Sequence, residues 1–195
     1  MTDHTSSPSD ASADAAADRT EPTANESTTG PDGPITVLQV EPDARSAELL
    51  TAFAARLTDR VRVRSVERVA EAVDAVEGGV EVDGERVAVD CVVTEQRLPD
   101  GDGVDLTRRL READREVPVV FHTTCPGRER EAAAFGAGAD AYFEKGSERG
   151  RFDAILDRIR ALVDEGRERG EDAERAAAST PRAHGSPGET LRSEE

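Results

Sequence analysis

Between Ile35 and Leu162 the chain alternates, five times over, a short apolar run of strand length with a segment whose apolar residues recur every three or four positions. Ile35 to Val40 reads as the first strand. Pro42 and Asp43 then open a helix whose inner face carries Ala47, Leu50, Ala54 and Leu57. Val61 to Val66 is a second strand, followed by a helix with the stripe Val69, Val73 and Val76. Cys91 to Val93 is a third, after which Asp102 caps a helix bearing Leu106, Leu110 and Ala113. Val117 to His122 is a fourth, with a short alanine-rich helix from Arg130 to Phe135. Ala141 to Phe143 is a fifth, and Phe152, Ile155, Leu156, Ile159 and Leu162 mark the last amphipathic helix. Right-handed crossovers then place helices on both faces of one parallel sheet, so the expected fold is α/β and doubly wound, a (βα)5 sandwich.

One insertion interrupts the alternation. VEVDGERV, residues 80–87, reads as a hairpin turning at Asp83 and Gly84, and an inert addition to the fold is the expectation. Residues 1–33 form an acidic N-terminal tail and residues 166–195 a polar C-terminal one. Both are expected to be disordered because they hold too little apolar surface to offset ordering entropy, with RERGEDAERAAA extending the last helix by a turn or two. One domain, residues 34–165, remains.

Charge narrows the function classes. Forty-two acidic against 25 basic side chains leave a net −17, which disfavours contact with nucleic-acid phosphates or an anionic membrane. No apolar run approaches the roughly 20 residues of a membrane span, and the first thirty residues lack secretory features, so a cytoplasmic location is expected. The acidic, arginine-over-lysine composition suits a halophilic, salt-rich cytoplasm. Cys91 and Cys125 read as small buried hydrophobes or free thiols rather than a disulfide.

In a doubly wound sheet, ligands bind beyond the carboxyl ends of the strands. The residues there are Glu41, Glu95, Thr123 and Lys145, the last being the only lysine of the chain. Two carboxylates, a hydroxyl and an ammonium suit either a phosphoryl group with a hard cation or a self-contained ion-paired cluster. Other chemistries lack their residues. His122 has no evident second ligand, while His4 and His184 lie in the tails. LPDGDGVDL has Arg111 where a calcium loop needs its last acid, and no glycine triplet follows the first strand.

VLQVEPD from Val37, DCVVTEQRLPDGDGVDL from Asp90, VPVVFHT from Val117 and GADAYFEKG from Gly138 occur in order, each at its own strand. Over about Pro34 to Val163 the chain thereby resembles a response-regulator receiver domain, the phosphorylated half of two-component phosphorelay signalling. The resemblance implies a flavodoxin-like, CheY-like sheet in the order 2-1-3-4-5 and no enzymatic activity of its own. It implies that an acidic pair after the first strand helps hold magnesium, and that an aspartate after the third accepts the phosphoryl group. Matched by position, Thr123 and Lys145 are the phosphoryl-contacting hydroxyl and ammonium, Tyr142 the switching aromatic, and Arg97 the donor of a backbone carbonyl to the metal.

The acidic positions depart from that pattern. Glu95 stands at the phosphoacceptor position, and the acidic pair is reduced to Glu41 followed by Pro42, with Asp43 one residue later on the helix start. A glutamate sets its carboxylate about one methylene further out, and in-line phosphoryl transfer tolerates misplacement of only about 1 Å. The expectation is a degenerate, stand-alone pseudo-receiver in which Glu95 reaches Lys145 or Thr123 and imitates the phosphorylated state. No cofactor is required, and magnesium is at most a weak ligand of Glu41, Glu95 and the Arg97 carbonyl. Output passes through the face of the fourth helix, fifth strand and fifth helix to a protein partner: a sensor histidine kinase, another regulator or a second copy. The alternatives are a conventional receiver using a shifted acidic site around Asp43, and a small flavodoxin-like nucleotide or cofactor binder.

Overall fold

The computed structural model describes residues 33–113, 115–146 and 150–178. Nine strands and five helices follow one another in these residues: β1 (Ile35–Val40), α1 (Ala44–Leu57), β2 (Val61–Val66), α2 (Val69–Gly78), β3 (Val80–Val82), β4 (Glu85–Val87), β5 (Cys91–Thr94), β6 (Arg97–Leu98), β7 (Gly101–Asp102), α3 (Gly103–Glu112), β8 (Val119–Thr123), α4 (Arg128–Ala137), β9 (Ala141–Glu144) and α5 (Arg151–Ala178). The central sheet is β2-β1-β5-β8-β9 with every pairing parallel, which is the expected order once the two hairpins are set aside.

Helices on both faces explain why β1 is buried along its whole length rather than alternating. On one face Ile35, Val37, Val93 and Val120 pack with Leu50 and Ala54 of α1 and Ile155, Leu156 and Ile159 of α5. On the other, Leu38, Val40, Val92 and Phe121 pack with Val69 and Ala72 of α2, Leu106 and Leu110 of α3 and Ala134 of α4. Each fully buried aliphatic side chain contributes about 1.5–3 kcal/mol of transfer free energy. These layers hold the strand ends in fixed register.

The hairpin of β3 and β4 pairs Val80 with Val87 and Val82 with Glu85. Asp83 (φ 55°) and Gly84 (φ 85°) both take the left-handed region, as a tight two-residue hairpin turn requires. An additional short hairpin, β6 with β7, pairs Arg97 with Asp102 just after the third sheet strand. Asp100 at its tip accepts from Val69 N (2.7 Å) and Ala70 N (3.1 Å), so a residue thirty positions away caps α2. Arg68, the residue at the cap position itself, makes no side-chain cap bond.

Several boundaries differ from the sequence reading. Leu57, the last residue of α1, is exposed rather than part of its inner face. Ala113 is the C-cap of α3 rather than part of its face. The fourth sheet strand runs Val119–Thr123 instead of starting at Val117, since Pro118 has no amide hydrogen for the ladder. The last helix continues to Ala178, roughly 20 Å beyond residue 165, instead of fraying within a turn or two. Its underside is anchored: Arg167 donates to Asp90 Oδ1 (3.1 Å) and Pro34 O (2.8 Å), and Arg60 to Asp164 Oδ1 (2.9 Å). Residues 1–32 and 179–195, where disordered tails were expected, lie outside the described residues.

Candidate functional site at the carboxyl ends of the strands

Backbone bonds that carry the sheet one step past its strands set the site. Glu41 N donates to Val66 O (2.8 Å), Glu95 N to Val40 O (3.0 Å) and Lys145 N to Thr123 O (2.6 Å). Each functional side chain therefore leaves the sheet at a fixed height. Glu41 is 4% exposed, Glu95 6% and Thr123 fully buried, so the carboxylates have lost nearly all contact with water.

Their oxygens are instead taken by protein donors. Glu95 Oε1 accepts from Gln96 N (2.7 Å) and from the Thr123 hydroxyl, while Oε2 accepts from Thr124 N (3.1 Å) and Lys145 Nζ (2.9 Å). Glu41 Oε1 accepts from Asp43 N (3.0 Å), and its Oε2 from Lys145 Nζ. One ammonium thus bridges two buried carboxylates. Burial alone would raise the Glu95 carboxyl, but the hydrogen bonds from Thr123 and Lys145 outweigh it and hold the group below its ordinary value. Burial would likewise pull the Lys145 ammonium down, and its bonds to Glu41 and Glu95 lift it above its ordinary value instead.

Behind the cluster, Tyr142 stacks on Phe121 with ring centroids 5.7 Å apart, and its hydroxyl donates to Cys125 O (2.6 Å). Thr123 Oγ1 also accepts from Cys125 N (3.0 Å), so the hydroxyl that meets Glu95 and the loop that holds Tyr142 share a turn. Gly103 closes the back of the site. A Cβ there would lie 2.7 Å from both Glu95 O and Phe121 Cε1, so only glycine lets the start of α3 pass so close.

Of the residues singled out from sequence, Glu41, Glu95, Thr123 and Lys145 meet, and Tyr142 stands directly behind them. Asp43 does not join: it is exposed, its Oδ1 accepts from Ser46 N (2.7 Å) as the N-cap of α1, and that bond holds its carboxyl below the ordinary value. Arg97 is exposed on β6, in the ladder with Asp102. His122, set aside in the sequence for want of a second ligand, is buried with Nδ1 lacking a hydrogen-bond partner and Phe152 edge-on 5.6 Å away. Burial, and then the Lys145 charge, lower its pKa to about 4. Asp100 and Gly103 entered the sequence reading only within LPDGDGVDL, as a rejected calcium loop, and their roles in capping α2 and in the close approach of α3 come from their place in the turn following Glu95.

The donor set does not fit magnesium, the metal that the resemblance implies. Mg²⁺ asks for nearly octahedral oxygen ligands. Here all four carboxylate oxygens are already hydrogen-bonded, an ammonium occupies the space between them, and Pro42 contributes no ligand. Among the described residues, no group of three or more His, Cys, Asp or Glu side chains is placed to hold a metal.

A doubly wound parallel sheet in this strand order, with acidic, hydroxyl and ammonium groups at its carboxyl edge, defines a receiver-type signalling domain. The chain belongs to the response regulator receiver domain family, whose pattern matches residues 37–157. It is 34% identical over 74 residues to the probable transcriptional regulatory protein y4xI of Sinorhizobium fredii, a stretch spanning 38% of this chain and 31% of that protein. Among solved structures, the receiver domain of Francisella response regulator 1452 superposes with a TM-score of 0.57 at 18% identity, covering 68% of this chain and 98% of that one. The non-phosphorylated HemR receiver domain from Leptospira biflexa gives 0.52 at 26% identity, covering 66% and 94%. Among the described residues, no helix is long and apolar enough to cross a membrane.

Proposed function

We propose that this receiver domain is held in a signalling-competent arrangement by Glu95 itself, and that it works by docking onto another protein rather than by accepting a phosphoryl group. The observation that carries this reading is the double engagement of Glu95, by the Thr123 hydroxyl and by the Lys145 ammonium, with Tyr142 turned onto Cys125 O. In relatives of this family those two groups meet the phosphoryl oxygens. Here a permanent carboxylate one methylene longer than aspartate takes their bonds, so the switch needs no transfer step.

The output face is that of α4, β9 and α5, with the exposed Phe135 of α4 as an apolar anchor. Its partner is a sensor histidine kinase, another regulator or a second copy, in the cytoplasm, and not nucleic acid. Incubation with a small phosphodonor and magnesium, followed by intact mass, is expected to leave the protein unlabelled. The double variant Glu95→Asp, Pro42→Asp is expected to acquire one phosphoryl group. Labelling of the unaltered chain at Glu95 or Asp43 would favour a conventional receiver and overturn this reading, and a repaired variant that stays unlabelled counts against the site. Glu95→Gln, nearly equal in volume, should weaken partner binding or self-association more than it changes stability.

A further inference from the structure

We infer that the Lys145 ammonium is the resident cation of the strand-end site and that it excludes divalent cations, so that Glu41 and Glu95 form a latent divalent site which this one side chain keeps closed. The inference rests on the strand-end geometry and shares with the proposed function the contacts of Glu95 with Lys145 and Thr123.

Two observations lead to it. The first is charge balance: two carboxylates and one ammonium, all at most 13% exposed in their side chains, sum to −1. A divalent ion added to that set reverses the sign to +1 in a site largely withdrawn from water, with the new charge against an existing one. The second is donor occupancy. Lys145 Nζ contacts Glu41 Oε2 and Glu95 Oε2, the latter also accepting from Thr124 N, and the two remaining oxygens are held by Asp43 N, Gln96 N and the Thr123 hydroxyl. An entering metal must displace the ammonium and break the bonds that orient both glutamates. Replacing Lys145 with a neutral side chain removes the obstacle and leaves a −2 pair whose carboxylates still face one gap, the condition under which hard cations bind oxygen ligands. Lysine suits the role better than arginine, because a compact ammonium fits between two carboxylates that a planar fork would span differently.

The test uses the full chain and Mn²⁺ as a paramagnetic probe, followed by amide NMR at constant ionic strength with Mg²⁺ as competitor. In the unaltered protein, broadening should be diffuse over the acidic surface, with no saturable component at the amides of residues 41, 95, 96 and 123–124. Lys145→Met should show saturable broadening at those amides, reversed by Mg²⁺, with Mn²⁺ affinity at least tenfold above that of the unaltered chain. Lys145→Arg, which keeps the charge, should behave as the unaltered chain does. Saturable, Mg²⁺-competed broadening at the site in the unaltered protein overturns the inference whether or not any variant folds, and so does a folded Lys145→Met that gains none. Phosphodonor labelling reads the proposed function separately: an unlabelled protein that nevertheless binds Mn²⁺ at the site overturns this inference while still agreeing with a receiver that accepts no phosphoryl group.

Discussion

The two ends of the sheet use the same side-chain chemistry to opposite effect. At the amino end Asp90 accepts from Thr36 N (2.7 Å) and pairs with Arg167, Asp140 accepts from Val119 N (2.8 Å) and pairs with Arg111, and Asp164 pairs with Arg60. The carboxylates there are 27–36% exposed, and each has its own guanidinium. At the carboxyl end Glu41 and Glu95, 3% and 6% exposed, share one ammonium. The amino end is a set of fasteners that pin the chain entry and α5 to the sheet. The carboxyl end is short of positive charge and short of water, so every contact there bears on the protonation and position of its neighbours.

The sharpest way to break the comparison is to remove one cation from each end. Lys145→Met strands two buried carboxylates and should cost about 3–5 kcal/mol. Arg60→Ala, which removes a partner of Asp164 that is 24% exposed, should cost about 1 kcal/mol. Urea denaturation of both variants measures the gap, and equal losses would mean that the carboxyl end is no more than another fastener.

Acid should find the carboxyl end first. His122, lowered from 6.5 to about 4, stays neutral in the folded chain while the unfolded chain takes up a proton. Its contribution is fully present above pH 6.5 and lost as the pH falls toward 4, a decline of about 3 kcal/mol at most. Glu95, also lowered, adds its loss below the ordinary glutamate range, whereas the raised Lys145 withdraws its contribution only above 10.5. Stability measured by urea melts at pH 7.5, 6 and 5 should show the decline, and His122→Leu should flatten it. An unchanged slope in that variant would remove His122 from the account.

Close packing should separate two glycines. Gly103→Ala drives a methyl group into Glu95 O and the Phe121 ring and should cost about 1–3 kcal/mol. Gly136→Ala, within α4 with nothing within 4 Å of the added carbon, should stabilise the protein by up to about 1 kcal/mol. Thermal melts of the pair should move in opposite directions. Tyr142→Phe, which loses the bond to Cys125 O, should likewise cost no more than about 1 kcal/mol, with little change at the Glu95 cluster by NMR.

Much of this was legible in the chain. Apolar runs two faces deep announced parallel strands, and helical spacing announced the covering layers, because burial selects residue type locally along each element. Glu41, Glu95, Thr123 and Lys145, named from their places after the strands, come together in space. Less legible were features made by distant neighbours. Leu57 fitted the helical stripe but is exposed at the end of α1, and the persistence of α5 to Ala178 comes with Arg167 and Arg60 gripping elements more than a hundred residues from one another in sequence.

Periodicity and residue type, read from the chain alone, settled the doubly wound architecture and brought an acid, a hydroxyl and an ammonium to one edge, since both follow from which side chains avoid water and where strands must stop. How the donors were shared among those acids was a tertiary decision. That Lys145 bridges Glu41 across 104 residues while still reaching Glu95, that Asp43 turns away to cap α1, and that Asp100 caps α2 all depend on where crossovers set the strand ends in space. Hydrogen bonds form between groups that folding makes adjacent, and adjacency of that kind has no local signature in sequence.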